Sequence, residues 1–236
     1  MAGYANLQLL LASRTEAAQE RIIYVVTAYM DAQGMMPCGR ESAERSVRFT
    51  RGEDGIWAVF DDEADRMDIR ALDGLGRCLT GKLHAKAVGI MGTEQGRMLR
   101  LYVDGRLRDT CLSSSGGLPP GKGSLGRLCC RGRAIRWRPV LREGRTVKEL
   151  SEAFVRSRQA ADGNFSELRE LLSLGSSAGY GFAALEEAAP PGLVTLYFCA
   201  ANRVRQRLVD RLFNPTARTA ANLGALIRPP RCRLWQ

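Results

Sequence analysis

The first 114 residues read as strand, helix, hairpin, helix, strand and closing hairpin, an order that predicts an α+β fold. The class expected is a ferredoxin-like split βαβ sandwich with an extra hairpin. Two further observations shape the prediction. Apolar residues recur every three and four positions in both helical stretches. Charge is divided unevenly, with 15 Lys and Arg against 16 Asp and Glu in residues 1–115, and 20 against 9 in residues 116–236. A basic, mostly helical second region is therefore expected behind the sandwich, with domains at 1–114 and 115–236 and an irregular C-terminal tail.

Leu7, Leu9 and Leu11 alternate with Gln8 and Leu10, which suits a short strand. Ser13 with Glu16 three residues on forms a capping box for a helix whose stripe is Ala18, Ile22, Val25, Val26 and Tyr29. The β-branched run from Ile22 to Thr27 leaves a strand as the competing reading. Met35 to Gly39 breaks any regular element. Val47 and Phe49 alternate with Arg48 and Thr50, and Gly52 to Gly55 turns the chain into Ile56 to Phe60, completing a hairpin.

Asp61 to Asp65 would form an acidic cap at a positive helix N-terminus. Behind it, Met67, Ala71, Leu72, Leu75, Cys78, Leu79 and Leu83 repeat with helical period. Gly74, Gly76 and Gly81 weaken that helix, and two of them are expected where another backbone comes close. Ala85 to Met91 is apolar enough for a central strand, Met98 to Val103 follows as another, and Asp104-Gly105 is a tight-turn signal before Leu107 to Leu112.

Trp57-Ala-Val-Phe60-Asp61-Asp62, then Asp65, Asp68, Leu72, Leu75 and Leu79, then Leu101-Tyr-Val-Asp-Gly105 and Asp109-Thr-Cys-Leu-Ser113 carry a resemblance. The pattern is similar to a group of bacterial proteins in which a strand ending in an aromatic-Asp pair leads into an acidic helix and a late hairpin. The resemblance implies no activity and leaves Gly116 onward uncovered.

Ser113 to Gly126 is dense in Ser, Gly and Pro and is the expected boundary. Gly116, Gly121 and Lys122 stand at phosphate-loop spacing. However, Gly123 replaces the Ser or Thr that would reach magnesium, and Pro119 and Pro120 remove backbone donors. From Leu125 to Val140, Arg127, Arg131, Arg133, Arg136 and Arg138 accompany Trp137. Arginine beside an aromatic could hold a nucleic acid strand by charge and stacking, but an edge strand guarded by outward cations is the preferred reading. Thr146 and Glu149 make a capping box for Val147, Leu150, Ala153 and Phe154, and a second helix starts at Phe165. The joint from Ser157 to Asn164 is too long for a usual helix-turn-helix. Leu193 to Ala200 reads as a buried strand or a helix start. Eight arginines then lie between Arg203 and Arg233, where Val204, Leu208 and Leu212 suggest a basic amphipathic helix.

His84 is the single histidine, placed at a helix end where it suits a C-terminal charge partner, and no nucleophile stands in a recognisable motif. If the helix begins at Asp61, then Asp61, Asp65 and Asp68 share one of its faces and offer hard oxygen ligands to magnesium or calcium, an alternative to the acidic cap. The seven cysteines lack Cys-x-x-Cys spacing. No run of about 18 apolar residues suggests a spanning helix, so a cytoplasmic protein without a cofactor is expected. Its expected role is interaction or regulation, with an acidic partner engaged through Arg131, Arg133, Arg136, Trp137, Arg138, Arg203, Arg207 and Arg211. A nucleic-acid module and a metal-dependent enzyme are the alternatives, and a homodimer is allowed. Only four of the 35 basic residues are lysine, so arginine usage alone does not argue for a phosphate partner.

Overall fold

The computed structural model describes residues 3–11, 16–52, 54–93, 96–113, 132–159, 165–188 and 190–201. Met1–Cys199 forms one compact unit and Ala200–Gln236 a second, of which residues 200 and 201 are described. Arg131, Arg203, Arg207 and Arg211, the expected box at Ser13 and Glu16, the loop at 114–126 and the C-terminal amphipathic segment lie outside the described residues.

The fold is mixed α+β, built on an eight-stranded antiparallel sheet. In chain order the strands are β1 (Tyr4–Leu10), β2 (Met35–Pro37), β3 (Arg45–Arg51), β4 (Trp57–Asp61), β5 (Lys86–Thr93), β6 (Gly96–Val103), β7 (Arg106–Ser113) and β8 (Val194–Ala200). They lie side by side as β2-β8-β3-β4-β1-β5-β6-β7. Successive side chains of a strand face opposite sides, and here both sides are covered.

On one side lie α1 (Glu16–Ala32) and α3 (Ile69–Leu83), preceded by the short α2 (Asp62–Asp65). Ala5, Leu7 and Leu9 of β1 and Val47 and Phe49 of β3 meet Ile22, Val26 and Met30 of α1 and Leu72, Leu75 and Leu79 of α3 in one core. Ala18, Ile22, Val25 and Val26 of the first stripe and Ala71, Leu72, Leu75, Leu79 and Leu83 of the second are buried, whereas Tyr29 and Cys78 are half-buried and Met67 precedes α3. The β-branched run at 22–27 is helical, with Ile22, Val25 and Val26 on the buried face. Asp104 and Gly105 both adopt positive φ, as a two-residue hairpin turn requires. Gly81 packs directly against the Gly105 backbone, whereas Gly76 leaves room for the Tyr102 ring.

On the other side, α4 (Val147–Gln159), α5 (Phe165–Leu171) and a 3-10 helix at Ala134–Val140 cover β5, β6 and β7. Val88, Ile90, Leu99, Leu101 and Cys111 from the sheet meet Trp137, Leu150, Phe154, Leu168 and Leu172 in a second core. Thr146 and Glu149 form the expected reciprocal cap: the Glu149 N–H donates to the Thr146 hydroxyl at 3.2 Å and the Thr146 N–H to the Glu149 carboxylate at 2.7 Å. A second 3-10 turn at Ser176–Gly179 and α6 (Phe182–Ala188) cover the β1–β4 part of this face, where Leu185 packs on Ala58 and Phe60.

Two buried amides on β1 hold that last segment down. Asn6 Nδ2 donates to the carbonyls of Ala178 (3.0 Å) and Tyr180 (2.8 Å). Gln8 Nε2 donates to Asn6 Oδ1 (2.9 Å), and Gln8 Oε1 accepts from the Gly175 N–H (3.1 Å). An interior amide is tolerated only when its donors and acceptors are used, as these are.

The chain after the expected boundary at 114/115 returns to the sheet, with β8 pairing along β3 from Arg45–Phe198 to Phe49–Val194. Where the strand reading of Leu125–Val140 reaches the described residues it is replaced by the 3-10 helix. Ala134, Trp137 and Val140, three residues apart, face the core, and the arginines between them face out as the edge-strand reading expected. Among the described residues no helix is long and apolar enough to cross a membrane.

Candidate functional site

The expected binding residues that are described converge on the 3-10 helix at 134–140 and the neighbouring edge strand β7. Asp109, buried on β7, is the tether between them. Its Oδ2 accepts from the Arg133 N–H at 2.6 Å and from Trp137 Nε1 at 2.8 Å. The Arg136 guanidinium donates to the Arg108 carbonyl at 3.1 Å and lies 3.8 Å from Asp109 Oδ1. A hydrogen bond from the Gly132 N–H to the Thr110 carbonyl, 3.1 Å, ties the approach to this segment onto the same strand.

Trp137 itself is fully buried, edge-on to Phe154 with ring centroids 5.6 Å apart and planes at 74°. It therefore offers no open face to a stacked base. Its indole instead anchors a short helix that turns Arg133, Arg136, Arg138 and Ile135 outward, Ile135 with 63% exposure. Arg106 and Arg108 are exposed on β7, where a register shift at Leu101/Tyr102 admits an extra residue opposite β6. Arg142 and Arg145 extend the basic face. Glu143 is the exposed acid beside them, and Arg145 is 3.6 Å from Glu149.

The acidic corner has a different geometry. Asp61 is buried, takes Arg45 through both carboxylate oxygens (3.0 and 2.5 Å), and caps α2 through the Glu63 N–H (3.1 Å). Arg45 also pairs with Glu63. Asp65 accepts from the Ala5 N–H at 2.9 Å, and Asp68 caps α3 through the Arg70 N–H at 2.7 Å. Each carboxylate thus serves a different protein donor, and among the described residues no group of acids, histidines or cysteines is gathered as a metal-ligand set. The acidic-cap reading accounts for the positions of Asp61 and Asp68, although the helix begins twice, with Met67 at φ 68° between the two starts. His84 ends α3 in the left-handed region, its N–H donating to the Thr80 carbonyl.

Asp62, half-buried next to this pair, accepts from the Ser46 N–H at 3.0 Å through one oxygen, while its Oδ1 has no hydrogen-bond partner. Burial pushes its pKa above the ordinary 3.8, against the pull of the Ser46 hydrogen bond and with a further push from Asp61. Between 3.8 and the raised value the folded chain binds more protons than the unfolded one, so stability falls as pH rises through that window. Asp62→Asn removes this penalty. The variant is expected to gain urea midpoint relative to the parent as pH is raised from 3.8 to 7, and an unchanged difference would contradict the assignment.

Sequence reasoning missed Asp109 as the anchor and the Asn6–Gln8 pair as the clasp. The available signal for the clasp was two amides at alternating positions of an otherwise apolar central strand. No family model, curated protein or solved structure matches the chain, so the likeness of residues 57–113 to a bacterial group rests on the motif residues alone.

Proposed function

We propose that this chain is a cytoplasmic interaction or regulatory protein that engages an acidic protein partner through the arginine face around residues 133–138. One observation carries the reading: Arg108, Arg133, Arg136 and Arg138 stand exposed around exposed Ile135, on a segment pinned from below by Asp109 and Trp137. A guanidinium matches a carboxylate in planar, two-point geometry. A pinned backbone has little ordering left to lose on binding. An apolar side chain amid arginines suits a protein interface, whose core excludes water. Binding of a single-stranded nucleic acid is the second reading. It is disfavoured because Trp137 is withdrawn from the surface.

The platform under this face we read as a ferredoxin-like split βαβ unit. The chain order β1-α1-β3-β4-α3-β5 and the antiparallel neighbour order β3-β4-β1-β5 support it, with β6 and β7 as the extra hairpin. The basic residues of the second unit, Arg203, Arg207 and Arg211, we propose as additional contacts for the same partner.

The test is fluorescence anisotropy with a labelled polyglutamate peptide at low salt. Arg133→Glu, Arg136→Glu and Arg138→Glu together are expected to weaken binding by about tenfold to a hundredfold while leaving the circular dichroism spectrum unchanged. Equal binding by parent and triple variant removes this face from the account. Sedimentation of the same samples reports whether a homodimer forms.

A further inference from the structure

α1 and α3 part on their outer side, away from the sheet, to form an open groove of about 530 Å³. Val25, Ala28, Cys78 and Leu83 line it, with the rings of Tyr24 and Tyr29. Tyr24, on the rim of the groove, is 71% exposed. The groove lies on the opposite side of the sheet from the arginine face, because α1 and α3 cover one side and the 3-10 helix the other.

Among the described residues, the charged side chains that line this groove are both cations, Arg21 and Lys82. Their placement follows from topology. β1 is antiparallel to both β4 and β5, and β3 is antiparallel to β4. α1 returns the chain from β1 to β3, and α3 returns it from β4 to β5, so the two helices run in opposite directions. The register is fixed by Gly74, where an added Cβ would overlap the Tyr29 hydroxyl. From that crossing point Arg21 is eight residues back along α1 and Lys82 eight residues forward along α3. Both displacements amount to about 12 Å in the same direction, from the helical rise of 1.5 Å per residue. The two cations therefore share one end of the groove, and the apolar floor runs from them towards Tyr29.

We infer that the α1/α3 groove binds a small amphipathic carboxylate, its head between Arg21 and Lys82 and its single aliphatic chain along Val25, Ala28 and Cys78. Charge complementarity selects the anionic head, since a carboxylate accepts charge-assisted hydrogen bonds from both exposed cations, a neutral head forms only weaker ones and a cationic head is repelled. The length of the floor suits an extended chain like that of decanoate, and the volume falls within the range of small-molecule sites.

Cys78, half-buried in the groove wall, supplies the readout. Burial pushes its thiol up from the ordinary value, against the pull of Lys82, so alkylation is followed at alkaline pH. The full chain is incubated with decanoate, decanol or decyltrimethylammonium below micelle formation. Modification of Cys78 and of Cys38 as internal control is then read by peptide mass spectrometry. Decanoate is expected to slow Cys78 alkylation severalfold without affecting Cys38, and to act at about tenfold lower concentration than either other compound.

Arg21→Glu with Lys82→Glu alters exposed side chains and is expected to abolish the preference for decanoate, each protein being compared with its own ligand-free rate. Ala28→Trp is expected to fill the groove and abolish protection altogether. Equal protection by decanol, or none by decanoate, overturns the assignment. So does protection of Cys78 that grows with protein concentration alone, which would place a second copy in the groove.

Discussion

Trp137→Ala is expected to lower the unfolding free energy by about 3–5 kcal/mol, the range found when a large buried aromatic is truncated and its cavity persists. Three contributions add at this position. The indole is fully buried in the second core, it meets Phe154 edge-on, and its N–H satisfies the buried Asp109 carboxylate at 2.8 Å. Truncation leaves Asp109 with the Arg133 N–H and a distant guanidinium, so part of the loss is the cost of an under-satisfied buried charge. Trp137→Phe separates the effects: it keeps most of the ring volume and removes the donor, and is expected to cost about 1–3 kcal/mol. Urea unfolding followed by circular dichroism measures both, since Trp57 and Trp235 complicate a fluorescence readout. If Trp137→Ala cost no more than Trp137→Phe, the second core would not be packed around the indole.

Arg45→Ala is expected to destabilise by a similar about 3–5 kcal/mol, because it strands Asp61 as an uncompensated charge in the interior. Both side chains are nearly inaccessible, with 8% and 2% exposure. Burial alone would lower the pKa of Arg45, but the hydrogen bonds and charges of Asp61 and Glu63 more than offset that and hold it above its ordinary value. Replacing both partners, as Arg45→Met with Asp61→Leu, is expected to recover most of the loss, since two apolar side chains carry no desolvation penalty. Recovery should stop short of the parent by about 1 kcal/mol, because Asp61 also caps α2 through the Glu63 N–H. Additive losses in the double variant would show that the two residues contribute separately and that the pair is not the stabilising unit.

Much of the first half was legible because its signals are local. The stripe through Ile22, Val25 and Val26 and the one through Leu72, Leu75 and Leu79 are set by helical geometry alone, and Asp104-Gly105 states its own turn. Thr146 and Glu149 close a box over three residues. What was not legible depends on partners far apart in the chain. Nothing near Val194 says that it will pair with Phe49, and nothing near Asn6 says that its amide will meet the carbonyls of Ala178 and Tyr180. Trp137 is the instructive case. Flanked by Arg136 and Arg138 it reads as a surface aromatic among cations. The 3-10 helix sends neighbouring side chains in different directions, so the ring goes inward while the guanidinium groups stay out. The arginines therefore lie outside as the sequence suggests, while Trp137 between them is buried.

The acidic corner shows the converse. Asp61, Asp65 and Asp68 were legible as a cluster, but a cluster in sequence is not convergence in space. Their oxygens point to Arg45, to the Ala5 N–H and to the first turn of α3. The buried counter-ion Arg45 lies on a different strand, which is why the pair could not be read from the acidic run itself.

Competition between two polyanions tests the proposed role most directly. Labelled polyglutamate is bound to the full chain at low salt, then challenged with unlabelled polyglutamate or with single-stranded DNA of equal charge. Polyglutamate is expected to displace the label at lower concentration than the DNA, and Arg133→Glu, Arg136→Glu and Arg138→Glu together to remove this advantage. Displacement by DNA at the lower concentration, or polyglutamate binding that the triple substitution leaves intact, would contradict the proposed role.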